Sequence, residues 1–115
     1  MRPMFQIVVI LILFLVVRGE AVPAVVPDTA PRPQRHVVEI EEFSFQPEDT
    51  IVVPGDTIVW VNRDVVPHSV TAKGGTWPAH TLEEGQSWEM VVTDGGTFPY
   101  FCEYHPEMQG LLVTR

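Results

Sequence analysis

Three residues of metal-binding type lie at equal spacing near the end of the chain. Cys102, His105 and Met108 occur in the stretch CEYHPEMQG, at residues 102–110, and Cys102 is the only cysteine among 115 residues. A thiolate, an imidazole and a thioether are ligands that copper and similar transition metals accept. A single cysteine cannot form an internal disulfide, and a free cysteine is often simply buried. Taken alone, the stretch therefore allows either an inert thiol or a metal site.

A second histidine further upstream favours the metal site. His68 lies in NRDVVPHSV, directly after a predicted strand, and Pro67 stiffens the backbone before it. Cys102 follows another predicted strand, TFPYF. If these strand ends meet at one end of a β-sandwich, they bring together His68, Cys102, His105 and Met108. Two imidazoles and a thiolate, with a weakly bound methionine, form the ligand set of blue-copper electron-transfer sites.

The elements that must position these side chains read as short strands. The segments HVVEIEEFSF, HSVTA, QSWEMVVT, TFPYFC and LLVTR favour strands, and DTIVVPGDTIVWVN favours two strands separated by a turn at Pro54-Gly55. Seven or so short strands, without a credible helix, predict an all-β domain over residues 36–115, a sandwich or a barrel. Within this domain, Val59 and Val61 point to one face of a strand and Ile58 and Trp60 to the other, so apolar side chains on both faces are consistent with a strand that is covered on both sides.

The N-terminal residues predict export. Ile7 to Val17 is an unbroken apolar run of eleven residues after Arg2, which suits a signal-peptide core better than a membrane span of about 20 residues. We interpret residues 1–21 as a signal peptide with a cut after Ala21, or as an N-terminal anchor, and a cut after Ala24 is the alternative. Residues 22–35, with four prolines, read as a linker. The predicted location is periplasmic or otherwise extracytoplasmic.

The charge of the predicted domain excludes some partners. Residues 36–115 contain three basic and thirteen acidic residues, or about ten net negative charges with neutral histidines. Such a surface repels nucleic acid and anionic lipid, and it suits a partner with a basic docking face.

With these motifs in place, the chain resembles a known family, the small blue-copper proteins or cupredoxins, and within them the amicyanin group. The resemblance rests on GDTIVWVNRDVVPHSV and on the short loop Cys102-x-x-His105-x-x-Met108, and it covers essentially residues 36–115. It implies a Greek-key β-sandwich of about eight strands. It also implies one type 1 copper per chain, held by His68, Cys102, His105 and Met108.

The resemblance further implies a monomeric one-electron carrier and not an enzyme. In the family, electrons leave through the more exposed histidine, here His105. Amicyanins take electrons from a quinoprotein amine dehydrogenase and pass them to a c-type cytochrome, so the resemblance implies redox-protein partners, while the ligand loop alone does not specify which ones. Two alternatives use the same scaffold: a periplasmic copper carrier or buffer with the same ligands, and a metal-free interaction module.

Three positions depart from the family pattern. Ser69 stands where the family usually has asparagine, which predicts a looser tie between the ligand loops while the backbone donor to the thiolate survives. Glu103 replaces a serine or threonine and brings a negative charge close to the site. Tyr104 replaces a proline, and its backbone N–H is predicted to reach the Cys102 thiolate. Such a bond would favour Cu(I) and raise the reduction potential.

The remaining polar residues have simpler interpretations. We interpret His36 as part of a strand edge or linker and His80 as a surface-loop residue. Asn62 and Asp64 read as turn residues, and Met90 as part of a strand. Five aromatic residues are interpreted as core or loop packing: Trp60, Trp77, Trp88, Phe98 and Phe101.

Overall fold

The structure is a computed structural model that describes residues 3–4, 9–25, 27 and 32–115. The predicted signal peptide (1–21) and linker (22–35) lie partly outside the described residues, and both stay predictions. Residues 9–25 have no regular secondary structure, and the apolar side chains from Val9 to Val17 are exposed. Among the residues described, no helix is both long and apolar enough to cross a membrane.

Strands account for all the regular secondary structure in the part of the chain that is described, which confirms the all-β prediction. They are β1 (Arg35–Glu41), β2 (Ser44–Gln46), β3 (Asp49–Val52), β4 (Thr57–Asn62), β5 (His68–Ala72), β6 (His80–Leu82), β7 (Ser87–Val91), β8 (Gly96–Phe101) and β9 (Gln109–Thr114).

The strands form two mixed sheets. One has the order β2-β1-β4-β7 and the other the order β3-β9-β8-β5-β6. Within them β1 runs parallel to β4 and β3 parallel to β9, while the other pairs are antiparallel. Because β5 and β8 are antiparallel, the start of β5 at His68 lies beside the end of β8, just before Cys102.

The core lies between the sheets and is rich in aromatic rings. Trp60 in β4 is fully buried, stacks on Trp88 at a centroid distance of 5.1 Å, and meets the ring of Tyr100 in β8 at 5.5 Å. Ile58, Val59 and Trp60 are all buried, as expected for a strand covered on both faces. This packing fixes β8, the strand that leads into Cys102.

Asp56 organises the chain before β4. Its buried carboxylate accepts the backbone N–H groups of Gln34 (2.8 Å) and Val53 (3.1 Å) and bonds the His36 ring (2.9 Å). The pKa of Asp56 is lowered by these contacts, first by the Gln34 N–H and then by His36 and Val53, against the opposing effect of burial. His36 itself lies in β1, as the strand-edge interpretation predicts.

Two features differ from the sequence-based expectation. The interpretation of His80 as a surface-loop residue is wrong, because His80 begins β6 and its ring stacks on Trp88 at 3.8 Å. The segment HVVEIEEFSF is not one strand but a hairpin, since Glu42 and Phe43 turn the chain between β1 and β2 with φ values of 51° and 56°. The second strand of this hairpin and the strand β6 raise the number in the described residues from the seven or so expected to nine.

Candidate metal centre

His68, Cys102 and His105 place their ligand atoms within 4.8 Å of one another at the junction of β5 and β8. The Cys102 Sγ lies 3.7 Å from the His68 Nδ1 and 3.7 Å from the His105 Nδ1. His68 and Cys102 are fully buried and His105 is half-buried. Among the described residues, this is the one group of three or more His, Cys, Asp or Glu side chains with such spacing.

These distances fit a single metal ion. Typical bonds are about 2.1 Å from metal to nitrogen and about 2.3 Å from metal to sulfur. With an N–metal–S angle of about 110–120°, the nitrogen and sulfur atoms are then about 3.6–3.8 Å apart. Both observed Sγ–Nδ1 separations fall in that interval. The side chains are therefore already arranged for an ion between them, with Nδ1 of both imidazoles facing the sulfur.

The loop from Cys102 to Met108 is closed by its own backbone. The Cys102 N–H donates to the Met108 carbonyl (3.1 Å), and the Met108 N–H donates to the His105 carbonyl (2.8 Å). Met108 is buried, with 3% exposure, directly before β9. Three-residue spacing thus becomes a compact turn that holds all three candidate ligands of this loop at one end of the sandwich.

Asn62 orders the second loop, which leads to His68. Its side-chain amide donates to the carbonyls of Val66 (2.8 Å) and Leu82 (2.9 Å), and its side-chain oxygen accepts the Asp64 N–H (2.9 Å). Asn62 is fully buried. It is therefore more than the turn residue that the sequence suggested, because it ties the loop before His68 to the end of β6.

Asp64 anchors the ring of His68. Its carboxylate bonds the His68 Nε2 at 2.7 Å and also accepts the backbone N–H groups of Glu42 (2.9 Å) and Phe43 (3.0 Å). Burial by itself would raise the pKa of Asp64, but these three donors outweigh it and the pKa is lowered. With Nε2–H donated to the carboxylate, Nδ1 of His68 is left free to bind a metal.

Ser69 connects the two loops. Its backbone N–H donates to the Cys102 Sγ at 3.3 Å, so the expected backbone donor to the thiolate is present. Its hydroxyl accepts the Glu103 N–H at 2.7 Å. The serine therefore keeps a short tie between the loops, where the sequence suggested a looser one. The Glu103 side chain itself is exposed, so water screens its charge.

The prediction for Tyr104 is wrong. Among the described donors, the backbone N–H that reaches the Cys102 Sγ belongs to Ser69, and that of Tyr104 makes no such bond. The Tyr104 side chain instead points along the surface, where its hydroxyl bonds the Thr81 hydroxyl at 3.1 Å. The loop turns directly after Cys102, with the His105 N–H donating to the Cys102 carbonyl, and this carries the Tyr104 N–H away from the sulfur.

The family model of the cupredoxin-like domain matches residues 6–114. The chain belongs to the cupredoxin-like family. This cupredoxin-like chain is 31% identical to amicyanin from Paracoccus denitrificans over 84 residues, which are 69% of the chain and 64% of that protein. It is 28% identical to a plastocyanin from Scenedesmus fuscus over 72 residues, 53% of the chain and 74% of that protein. The chain thus matches slightly less than two thirds of the length of the amicyanin.

Solved amicyanin structures share the fold. A methionine-to-alanine variant of amicyanin in its Cu(I) form superposes with a TM-score of 0.65 and 29% identity, covering 70% of this chain and 82% of that one. In the present cupredoxin-like chain, copper suits the donor set of two imidazoles, one thiolate and a thioether. The two sulfur ligands favour Cu(I), and imidazole serves both oxidation states.

Proposed function

We propose that this chain is an exported blue-copper protein that carries single electrons between redox partners. The observation that carries the proposal is the convergence of His68, Cys102 and His105, with both Sγ–Nδ1 separations at 3.7 Å. Met108, buried in the same loop, would be the fourth ligand. Copper bound there would supply the change between Cu(II) and Cu(I), and the chain would act as a carrier and not as an enzyme.

The protein's own part is to hold the ligands still. Two of the candidate ligands lie at strand ends of the two-sheet sandwich, and hydrogen bonds to Asp64, Ser69 and Met108 fix the ring of His68, the sulfur and the loop. A site that changes little between oxidation states needs little reorganisation, which favours rapid transfer. Burial of His68, Cys102 and Met108 also opposes easy exchange of the metal, which argues for a carrier of electrons over a carrier of copper.

Electrons would pass through His105, the one candidate ligand that is half-buried and not fully covered. Exposed apolar side chains occur next to His105 in its own loop, in the loop before His68 and in the β1–β2 hairpin, and redox encounters use small interfaces. They are Phe43, Val65, Pro67, Tyr104 and Pro106.

Exposed carboxylates, of Glu103 and Glu107, lie in the same loop as His105. Together with the acidic surface they support a redox partner with a basic docking face, such as a c-type cytochrome.

Adding Cu(II) to the purified protein tests copper binding. We expect an intense thiolate-to-copper absorption with one copper per chain, absent in Cys102→Ser and weakened in His105→Ala. If the wild-type protein stays colourless, both the electron-carrier and the copper-buffer functions are ruled out. If the colour forms, electron self-exchange and the loss of Cu(I) to a chelator decide between carrier and buffer. Fast loss of Cu(I) with slow self-exchange would establish the copper buffer.

The docking proposal has its own test. The rate of electron transfer to a basic c-type cytochrome should fall as salt rises, and Glu103→Gln should lower both the rate and its salt dependence. Asp94→Asn is the matched control, because Asp94 is an exposed carboxylate before β8, at the other end of that strand from Cys102. Equal effects of the two changes would mean that overall charge, and not a docking face, steers the encounter.

Export is tested by expressing the full chain and sequencing the N-terminus of the product. Cleavage after Ala21 or Ala24 would support a signal peptide, and an intact N-terminus in the membrane fraction would support an anchor. An uncleaved product that stays in the cytoplasm would contradict export.

A further inference from the structure

The ring of Phe43 stands perpendicular to both candidate histidine ligands. Its centroid lies 4.8 Å from that of His105 and 5.3 Å from that of His68, with interplanar angles of 90° in both cases. Phe43 comes from the β1–β2 hairpin and not from either ligand loop. Perpendicular aromatic pairs at these distances are favourable contacts. A third segment of the chain thus touches the site.

The backbone at Phe43 is one that phenylalanine rarely adopts. Glu42 and Phe43 are the two central residues of a tight hairpin closed by the pair Glu41 and Ser44, and their φ values are 51° and 56°. Two-residue hairpins of this conformation strongly favour asparagine or aspartate followed by glycine. A large aromatic residue there breaks the local preference. Such departures are often found where a side chain serves a function.

Asp64 fixes this hairpin relative to the metal centre. The carboxylate that bonds the His68 ring also accepts the backbone N–H groups of Glu42 and Phe43. The hairpin and the His68 imidazole therefore share one anchor. Because of this anchor, the Phe43 ring is held at a defined place beside the candidate ligands even though the residue is 51% exposed.

The two histidines are held differently. The His68 ring is fully buried and bonded through Nε2 to Asp64. The His105 ring is half-buried, and among the described residues its one hydrogen-bond contact is between Nδ1 and the Cys102 sulfur. Its Nε2 has no partner within the described part of the chain that could fix the ring. The orientation of His105 therefore depends on packing.

We propose that Phe43 is the positioning residue that holds the His105 imidazole with its Nδ1 toward Cys102. Its perpendicular ring occupies the space into which the imidazole would turn. The effect on copper rests on the proposed function, whereas the effect on the orientation of His105 does not. Phe43 would keep the His105 ring in one orientation in both oxidation states of the copper, so that His105 moves as little as the buried His68.

The test compares wild type with Phe43→Leu, Phe43→Tyr and Glu42→Gly. Leucine keeps an apolar side chain but removes the ring, and tyrosine keeps the ring. The Glu42→Gly variant relaxes the neighbouring positive φ and leaves Phe43 in place. In the copper-free protein, nitrogen-15 NMR relaxation of the imidazole rings reports their mobility directly. In the copper-loaded protein, the visible and EPR spectra and the rate of Cu(I) loss to a chelator report the site.

We expect Phe43→Leu to increase the mobility of the His105 ring but not that of His68. In the loaded protein we expect Cu(I) loss about tenfold faster, the size of effect that residues behind a ligand commonly have. Phe43→Tyr and Glu42→Gly should behave as wild type. The proposal is overturned if Phe43→Leu leaves the His105 ring as rigid as in wild type, or if Glu42→Gly mobilises it equally. If wild type takes up no copper, the proposed function fails while the copper-free measurement still decides the role of Phe43.

Discussion

Replacing Gly110 by alanine should destabilise the domain severely. Gly110 in β9 pairs with Tyr100 in β8, and the ring of Tyr100 lies directly over it. A Cβ atom at position 110 would lie 2.2 Å from Cζ, 2.4 Å from Oη and 2.5 Å from Cε2 of that ring. All three separations are far below van der Waals contact, so either the ring or the strand must move.

The size of the effect follows from the surroundings of Tyr100. The ring is fully buried, and its centroid lies 4.8 Å from that of Phe45 and 5.5 Å from that of Trp60. These neighbours restrict any rotation of the ring away from residue 110. Burial also raises the pKa of Tyr100 to about 12. Overpacking of a core commonly costs about 1–3 kcal/mol, and this contact belongs at or above the upper end. A loss of about 3 kcal/mol would lower the Tm of an 80-residue domain by about 15 °C.

Urea unfolding of the copper-free protein, followed by tryptophan fluorescence, measures the loss. Tyr100→Ala is the matched background: it is itself destabilising, but it removes the ring with which the new methyl collides. Adding Gly110→Ala to it should therefore cost little more. A cost below about 0.5 kcal/mol for Gly110→Ala in wild type, or an equal cost in both backgrounds, would refute a clash with the Tyr100 ring.

Ser69→Ala should lower the free energy of unfolding by about 1–2 kcal/mol, because the Glu103 N–H loses its acceptor; an unchanged urea midpoint would contradict this. The pKa of Asp56 is lower in the folded protein than its ordinary value of 3.8, so its stabilising contribution is complete above that pH and is lost as the pH falls below it. In acid titrations followed by fluorescence, Asp56→Asn should be less stable at neutral pH and should lose less stability below pH 3.8 than wild type; parallel curves would show that Asp56 does not contribute. Tyr104→Phe and Thr81→Val should each cost about 0.5 kcal/mol, and the double variant no more than either one, because they remove the same exposed hydrogen bond. Additive losses in urea unfolding would show that the two hydroxyls act independently.

The residues most easily predicted from the sequence were those whose roles depend on local spacing. Cys102, His105 and Met108 lie three residues apart, and such a short loop can hold three ligands together wherever it sits in a fold. The Pro54-Gly55 turn and the apolar residues on both faces of β4 also depend only on neighbours along the chain. His68 lies 34 positions before Cys102, so its place beside this loop could be predicted only by assuming a β-sandwich in which the two strand ends meet. The structure has that arrangement.

What only the tertiary structure decided are the contacts between segments far apart along the chain. Asp64 and Asn62 read as turn residues, because nothing in NRDVVPHSV shows that their side chains bond Phe43 and Leu82, which are about 20 positions away. The N–H of Tyr104 could be assigned to the thiolate only while the direction of the loop was unknown. Phe43 gave no signal at all, since an aromatic residue beside a strand is usually core. Local patterns determined which atoms could bind a metal, and the packing of the two sheets determined which neighbours hold those atoms in place.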